Sequence, residues 1–270
     1  MRKSHPGIFA GFMKSIKIIH IIVSSLCLCA TAAFGQGTST TNAPAHAVTN
    51  APPKVAPWDV AGSLGLTITR GNSRTELATA SLTAARKWDH NELSLGTTGI
   101  YGENDGTKNS ESLAGFGQYN RLFNERWFGY GRLDMLHDAI AGVDYRLSVG
   151  PGAGYYFIKN TNMLLRAEGG AGYIYEEDAN NRERSYISLR AADRFEYKIS
   201  AAAKIWQSAE YLPQVDNFNN YILNFEVGIE SAMTKKWSLI SYVQDTYHNE
   251  PVPGRLKNDL KWITGVKFKF

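Results

Sequence analysis

The sequence predicts an all-β protein, a transmembrane antiparallel up-and-down β-barrel of about twelve strands. Three observations predict this fold. From residue 57 onward, apolar and polar side chains alternate with a period of two in a succession of segments. These segments are roughly ten or more residues long, which a tilted membrane-spanning strand requires. Aromatic side chains collect towards both ends of the apolar face.

The alternation is clearest near the end of the chain. In 220–232 the odd-numbered positions are aromatic or aliphatic up to Ile229, and most even-numbered positions are polar or glycine. The pattern is blurred in 111–137 and 202–213, so the register is open there. The predicted strands are 57–69, 75–88, 91–103, 111–123, 126–137, 143–158, 163–176, 184–198, 202–213, 220–232, 236–248 and 259–270.

The predicted connections alternate in length. Short turns are expected at Asp89-His90 and Asn124-Glu125, and longer polar loops at Glu103 to Asn109, Glu177 to Glu183 and Asn249 to Asn258. Short turns at one end and longer loops at the other are typical of outer-membrane barrels. An even number of strands places both chain ends on the short-turn side.

The composition of the two faces indicates which one is outside. A soluble barrel turns its apolar face inward, whereas a membrane barrel turns it outward. The polar face carries too many charges for a soluble ligand cavity, and it suits a lumen. The apolar face has aromatic groups near the short turns, such as Trp127 and Trp237, and near the loops, such as Tyr173 and Trp262. Two aromatic girdles favour the membrane barrel.

The N-terminal region has the features of an exported precursor. Residues 1–35 combine a basic start, an apolar stretch and small residues before Gln36, which is typical of a cleaved signal peptide. Residues 36–56 are rich in Thr, Asn, Ala and Pro, so we expect a disordered periplasmic linker. The barrel is expected at 57–270. We expect the protein in the outer membrane of a Gram-negative bacterium.

Charge and cysteine content exclude several functions. All of the formal charge of +4 comes from four basic residues in 1–35, and removing them leaves 25 basic and 25 acidic residues. This balance gives no support to nucleic-acid binding. Both cysteines, Cys27 and Cys29, lie in the signal peptide. The mature chain therefore has no disulfide, thiol nucleophile or cysteine metal site.

The chain ends in an alternating strand with Phe270 as its last residue. This ending resembles the terminal signal that the barrel-assembly machinery reads in outer-membrane proteins. We therefore expect Phe270 to act as an assembly signal. The expected partners are the assembly machinery and outer-membrane lipid.

Several stretches resemble the family of salt-induced outer-membrane proteins, the YdiY-like proteins, whose domain has no known function. They are Gly62 to Arg74 with its Arg70-Gly71-Asn72-Ser73 turn, Tyr119 to Asp134, Arg146 to Phe157, Asn220 to Ala232, and Tyr247 to Phe270. These motifs are turns, glycines and girdle aromatics. The resemblance thus implies a barrel expressed under salt stress, and it implies no reaction.

Residues suited to catalysis are scarce. His137 with Asp138 and His248 could form a rim metal or acid–base site in an outer-membrane hydrolase, but their strands are far apart in sequence. The run Gly150 to Gly154 is not followed by a helix, so it is better explained by glycines facing a crowded lumen. We expect no enzyme activity and no catalytic, cofactor or metal site.

The remaining candidate site is the lumen. Charged residues on neighbouring predicted strands are expected to line it: Arg146, Arg166, Glu168, Arg190, Arg194, Glu196, Glu226 and Glu230. They could form a charged constriction in a narrow channel for small polar solutes or ions. Alternatively, they could form cross-strand salt bridges that fill a non-conducting structural or envelope-stress barrel, which binds a partner through its loops or linker.

Overall fold

The computed structural model describes residues 57–69 and 75–270, which form twelve strands in one closed antiparallel barrel. Each strand pairs with its neighbours in sequence, and β12 pairs with β1. The strands are β1 (Asp59–Thr69), β2 (Thr75–Trp88), β3 (Asn91–Asn104), β4 (Thr107–Leu122), β5 (Trp127–Asp138), β6 (Val143–Lys159), β7 (Met163–Asp178), β8 (Glu183–Lys198), β9 (Ala203–Pro213), β10 (Tyr221–Ala232), β11 (Trp237–His248) and β12 (Asn258–Lys269). The predicted fold class is confirmed. The predicted signal peptide and linker, 1–35 and 36–56, lie outside the described residues.

No helix long and apolar enough to cross a bilayer occurs within the described part of the chain.

Alternation along the strands produces two chemically different faces. Successive side chains of a strand point to opposite sides of the barrel wall. On β10, the outward side chains of Leu223, Phe225 and Val227 are 41–42% exposed, whereas Ile222 is buried. An outward apolar face is the arrangement of a membrane-spanning barrel.

Large aromatic side chains lie on the outer face near both ends of the barrel. Trp127 and Trp237 begin β5 and β11 at the short-turn end, and both are exposed. Tyr173 and Trp262 are exposed nearer the loop end of β7 and β12. Exposed aromatics at two levels match the girdles that contact the two interfaces of a bilayer.

The connection between β3 and β4 differs from the prediction. A loop from Glu103 to Asn109 was expected, but β3 continues to Asn104 and β4 begins at Thr107. The two connecting residues, Asp105 and Gly106, have φ angles of 49° and 76°. An Asp-Gly pair with positive φ at both positions forms the tight hairpin turn that suits the twist of antiparallel strands. The polar composition of the segment had suggested a longer loop.

The seam between β12 and β1 is short. Its register covers five pairs, from Ala61–Lys269 to Gly65–Gly265, whereas β1 and β2 are paired over eleven. One further backbone hydrogen bond runs from the N–H of Phe270 to the carbonyl of Val60, at 3.0 Å. The barrel therefore closes through fewer backbone contacts than its first hairpin has.

Glycines on β6 make room for aromatic rings inside the barrel. A Cβ atom at Gly152 would lie 2.2 Å from Cζ of Tyr130, and one at Gly154 would lie 2.1 Å from Cζ of Phe128. Phe128, Tyr130 and Tyr156 form a buried aromatic cluster. The glycine run thus accommodates a crowded interior, in agreement with the interpretation favoured from the sequence.

Candidate functional site

Contacts between strands that are not neighbours identify the inward-facing side chains. Gln118 on β4 donates Nε2–H to Oε1 of Glu168 on β7, at 3.2 Å. Arg190 on β8 donates Nη1–H to Tyr130 on β5, at 2.9 Å. In a closed barrel such contacts form across the interior. Because side chains alternate along a strand, the even-numbered positions of β3 to β11 share this face, with local shifts at β-bulges.

All eight residues proposed for the lumen from the sequence occupy even-numbered positions, and each makes a polar contact described below. They do not form one ring. They fall into separate clusters on two parts of the interior, which we name the bridged wall (inward-facing residues of β3–β8) and the unbridged wall (inward-facing residues of β9–β12, β1 and β2).

The centre of the bridged wall is a network around Glu168, which is buried. Its carboxylate lies 3.2 Å from Arg166 Nε and 2.7 Å from Arg190 Nη1. Arg190 also donates Nε–H to Glu210 at 2.6 Å. A cavity of about 20 Å³ remains beside Tyr130 and Arg190, which is room for about one water molecule. The middle of this wall is therefore filled.

A second cluster occupies the loop end of the bridged wall. Glu176 is 1% exposed and forms ion pairs with Arg146 and Arg184 on the two neighbouring strands. Arg184 Nη2 lies 2.5 Å from the Glu176 carboxylate. A carboxylate this deeply buried is stabilised only when its charge is paired and its lone pairs accept hydrogen bonds. Glu176 was not among the residues proposed from the sequence.

A third cluster closes the short-turn end of the bridged wall. Tyr156 on β6 donates its hydroxyl to Glu92 on β3 at 2.6 Å, and Lys159 Nζ donates to the same carboxylate at 3.2 Å. Asn120 also donates to this carboxylate at 3.3 Å, and Lys87 Nζ lies 3.5 Å from it. The ring of Tyr156 packs against Phe128, with 5.0 Å between centroids. Polar and aromatic contacts thus span three strands at this end.

Ion pairs within the unbridged wall join strands that are closer together in the sheet than those joined by the longest contacts of the bridged wall. Arg194 of β8 borders this wall and pairs with Glu196 at 2.8 Å, and Lys204 lies 3.6 Å from Glu196. Glu230 lies 3.0 Å from Lys267 and 3.7 Å from Lys204. These contacts join strands at most two apart.

At mid-depth, the side chains of β1 and β2 on this wall are small. Ser63 and Ser81 share a hydrogen bond of 2.6 Å between their hydroxyls, and Thr79 and Thr83 are the inward neighbours of Ser81 on β2. Two strands away, Phe116 of β4 faces inward with its ring 4.9 Å from the guanidinium carbon of Arg132, yet it is 36% exposed. Solvent therefore reaches the interior at mid-depth.

The loop end of the interior is narrowed by two contacts from β11–β12. Lys261 Nζ on β12 lies 3.9 Å from Asp138 on β5, almost across the barrel. In loop 249–257, Val252 lies beside Gly142 of the β5–β6 connection, where a Cβ atom would be 3.5 Å from Val252 Cγ1. The mouth is thus smaller than the ring of strands that surrounds it.

The residues considered for catalysis are not assembled into a site. His137 lies on an outward position and its Nδ1 is 2.5 Å from the carbonyl oxygen of Asp144, while His248 is the even-numbered, inward end of β11. Among residues 57–69 and 75–270, no group of three metal-ligating side chains is present.

Phe270 lies beside the seam on the outer face. Its ring is 70% exposed and contacts Phe268 edge-on, with 5.0 Å between centroids. The terminal residue thus combines a backbone hydrogen bond to β1 with an exposed aromatic ring.

Two acidic residues on the outer face were missed. Asp193 pairs in register with Ala167 and Ala209, and Asp245 pairs with Phe225 and Leu260. Only the register of the neighbouring strands assigns these carboxylates to the lipid-facing side. Charge alone had suggested the lumen for residues of this type.

The sequence profile of a known protein family matches residues 62–270. The chain belongs to this family, described as "Protein of unknown function, DUF481". No curated protein is similar in sequence to the DUF481 chain.

Solved structures similar to the DUF481 barrel are outer-membrane proteins. The NanC porin has a TM-score of 0.51 at 8% identity, with 78% of this chain and 100% of that chain covered. An outer membrane channel (COG4313) from Pseudomonas putida F1 has a TM-score of 0.48 at 13% identity, covering 82% and 97%. The translocator domain of the autotransporter NalP from Neisseria meningitidis has a TM-score of 0.46 at 10% identity, with 79% of this chain and 87% of that chain covered. At these identities, the first comparison supports the shared fold alone.

Proposed function

We propose that this DUF481 barrel is an outer-membrane protein that conducts small polar solutes or ions through a narrow passage along its unbridged wall. The observation that carries the proposal is the uneven filling of the interior. Contacts that span three strands concentrate on the bridged wall, while the inward positions of β1 and β2 at mid-depth carry the small side chains of Ser63, Ser81 and Thr83.

The outer-membrane location is supported by the outward apolar face and its exposed aromatics. An exported precursor agrees with it: 1–35 would be the cleaved signal peptide and 36–56 a periplasmic linker. Phe270 would then be the residue that the barrel-assembly machinery reads, since its exposed ring lies beside the seam between β12 and β1. Expression under salt stress, suggested by the resemblance to the salt-induced family, belongs to the same proposal.

A non-conducting structural barrel is the alternative, and the dense network around Glu168 favours it. Its loops or linker would then bind a partner. The two functions differ in one measurable property, because only the first requires continuous water through the interior.

The test is conductance of the refolded barrel in a planar bilayer. We expect discrete current steps from protein that circular dichroism shows to be folded. Ser81→Trp would place an indole on the unbridged wall and should abolish most of the current. Leu82→Trp is the matched control, because Leu82 is the next residue and faces outward.

Two results would contradict the proposal. Folded protein without current steps would favour the structural barrel. An equal loss of current in Ser81→Trp and Leu82→Trp would show that the current does not follow the unbridged wall.

A further inference from the structure

One interior carboxylate differs from the others in its partners. Interior-facing acidic residues between the two mouths lie within 4.0 Å of a Lys or Arg nitrogen: Glu92, Asp134, Glu168, Glu176, Glu196, Glu210 and Glu230. Glu226, at mid-depth on β10, has no such partner among the residues that the structure describes. No ion pair therefore neutralises its carboxylate directly; the cations nearest in register, Arg194 and Lys261, lie two strands away.

The immediate neighbours of Glu226 are neutral. In register, it is paired with Ser208 on β9 and Gln244 on β11. Trp206 donates its indole N–H to Oε1 of Glu226 at 2.7 Å. Within the described residues, Oε2 has no hydrogen-bond donor.

The position of Trp206 depends on Gly228. A Cβ atom at Gly228 would lie 2.4 Å from Cζ2 of Trp206, so only glycine lets the indole lie across β10. The indole N–H then reaches Glu226 and fixes one carboxylate oxygen. The chain thus positions this carboxylate with a neutral donor and not with a cation.

We infer that Glu226 makes the passage selective for small cations such as K⁺ and Na⁺ by binding them transiently. The inference rests on the proposed channel function. An uncompensated carboxylate between low-dielectric walls attracts cations and repels anions, as acidic side chains do in cation-selective pores. Carboxylate and amide oxygens are suitable ligands for hard cations, and Asn224 supplies an amide oxygen two residues away on the same strand.

The experiment measures the reversal potential of the refolded protein under a KCl gradient. We expect the wild type to prefer K⁺ over Cl⁻, and Glu226→Gln to lower this preference by roughly threefold or more. Glu226→Asp retains the charge and should retain the preference. Glu230→Gln is the matched control, because it removes the same charge from a carboxylate that two lysines already compensate.

A second pair of variants tests the same charge without altering Glu226. Gln244→Lys supplies the missing cation at the paired position and should lower the preference as Glu226→Gln does. Gln244→Met, of similar length and neutral, should leave it unchanged.

The outcomes separate the inference from the channel itself. Current steps with an unchanged reversal potential in Glu226→Gln, or with equal shifts in Glu226→Gln and Glu230→Gln, would overturn the inference and leave the channel. Folded wild-type protein without current would overturn both.

Discussion

The bridged and unbridged walls belong to one barrel and contain similar residue types, but the charged residues of the two walls have different partners. On the bridged wall, Glu168 is buried and shares its charge with two arginines. On the unbridged wall, Glu226 accepts one neutral hydrogen bond. The inward orientation of a charged residue in a barrel does not by itself determine what that residue does. Its neighbours in register decide whether it fills the interior or acts on what passes through.

The largest expected difference between the walls concerns the removal of a carboxylate. Glu168→Ala removes the carboxylate that the partly buried Arg166 and Arg190 share, leaving Arg190 paired with Glu210, and should lower the free energy of unfolding by about 3 kcal/mol. Glu226→Ala removes one hydrogen bond and should cost about 1 kcal/mol. Urea unfolding of both variants in the same detergent measures the difference. Equal losses would mean that the two walls do not differ in stability.

A larger side chain should destabilise the barrel more in its crowded interior than on its outer face. Gly154→Val places its Cβ 2.1 Å from the Phe128 ring and should destabilise the barrel by about 1–3 kcal/mol. The control is Gly131→Val, since Gly131 lies on the outer face and has no atom within 4 Å of its Cβ position. Thermal unfolding compares them. A stable Gly154→Val barrel would show that the aromatic cluster is loosely packed.

A substitution beside Glu226 should show whether the charge of its carboxylate or its fixed position controls the cation preference. Gly228→Ala places its Cβ against Trp206 and 2.6 Å from Cβ of Tyr242, so it displaces the indole and breaks the hydrogen bond to Glu226, at a cost of about 1–3 kcal/mol. Because the carboxylate keeps its charge, cation preference should persist while the variability of single-channel currents rises. The outer-face variant Gly99→Ala is the control. Loss of cation preference in Gly228→Ala would show that position, and not charge, decides selectivity.

The smallest effect is expected at the loop end. Lys261→Met removes the ammonium group that reaches towards Asp138 and should raise the conductance modestly by widening the mouth. Lys235→Met, at the short-turn end, controls for the loss of one positive charge. An unchanged conductance in Lys261→Met would place the narrowest point elsewhere in the barrel.

Much of the fold could be predicted because alternation depends only on local sequence. The odd and even positions of β10 assigned Phe225 and Glu226 to opposite faces without knowledge of any partner strand. Asp105-Gly106 was misjudged because its polar neighbours suggested a longer loop, although the pair itself favours a two-residue turn. The sequence pattern therefore predicts faces more reliably than the exact ends of strands.

The site was harder to predict because its properties depend on register. Pairs two residues apart on one strand, such as Arg166 with Glu168, could have been found from the sequence. The contact between Gln118 and Glu168 could not have been found in this way, since the two residues are 50 positions apart in the sequence. The buried ring of Phe128 lies in the segment where alternation was blurred. That Glu226 forms no ion pair depends on its two register partners being the neutral Ser208 and Gln244.

The seam between β1 and β12 has the fewest register pairs of the strand pairs in the barrel, so we expect the barrel to open there first. Separating these strands breaks five register pairs, whereas opening the first hairpin breaks eleven. Fluctuations that rupture the wall therefore begin at this joint, where the two ends of the described chain meet. Once it parts, β1 and β12 become unpaired edges, and unzipping proceeds from both ends towards the ion-paired strands around Glu168. We therefore expect the bridged wall to be the last part of the barrel to unfold.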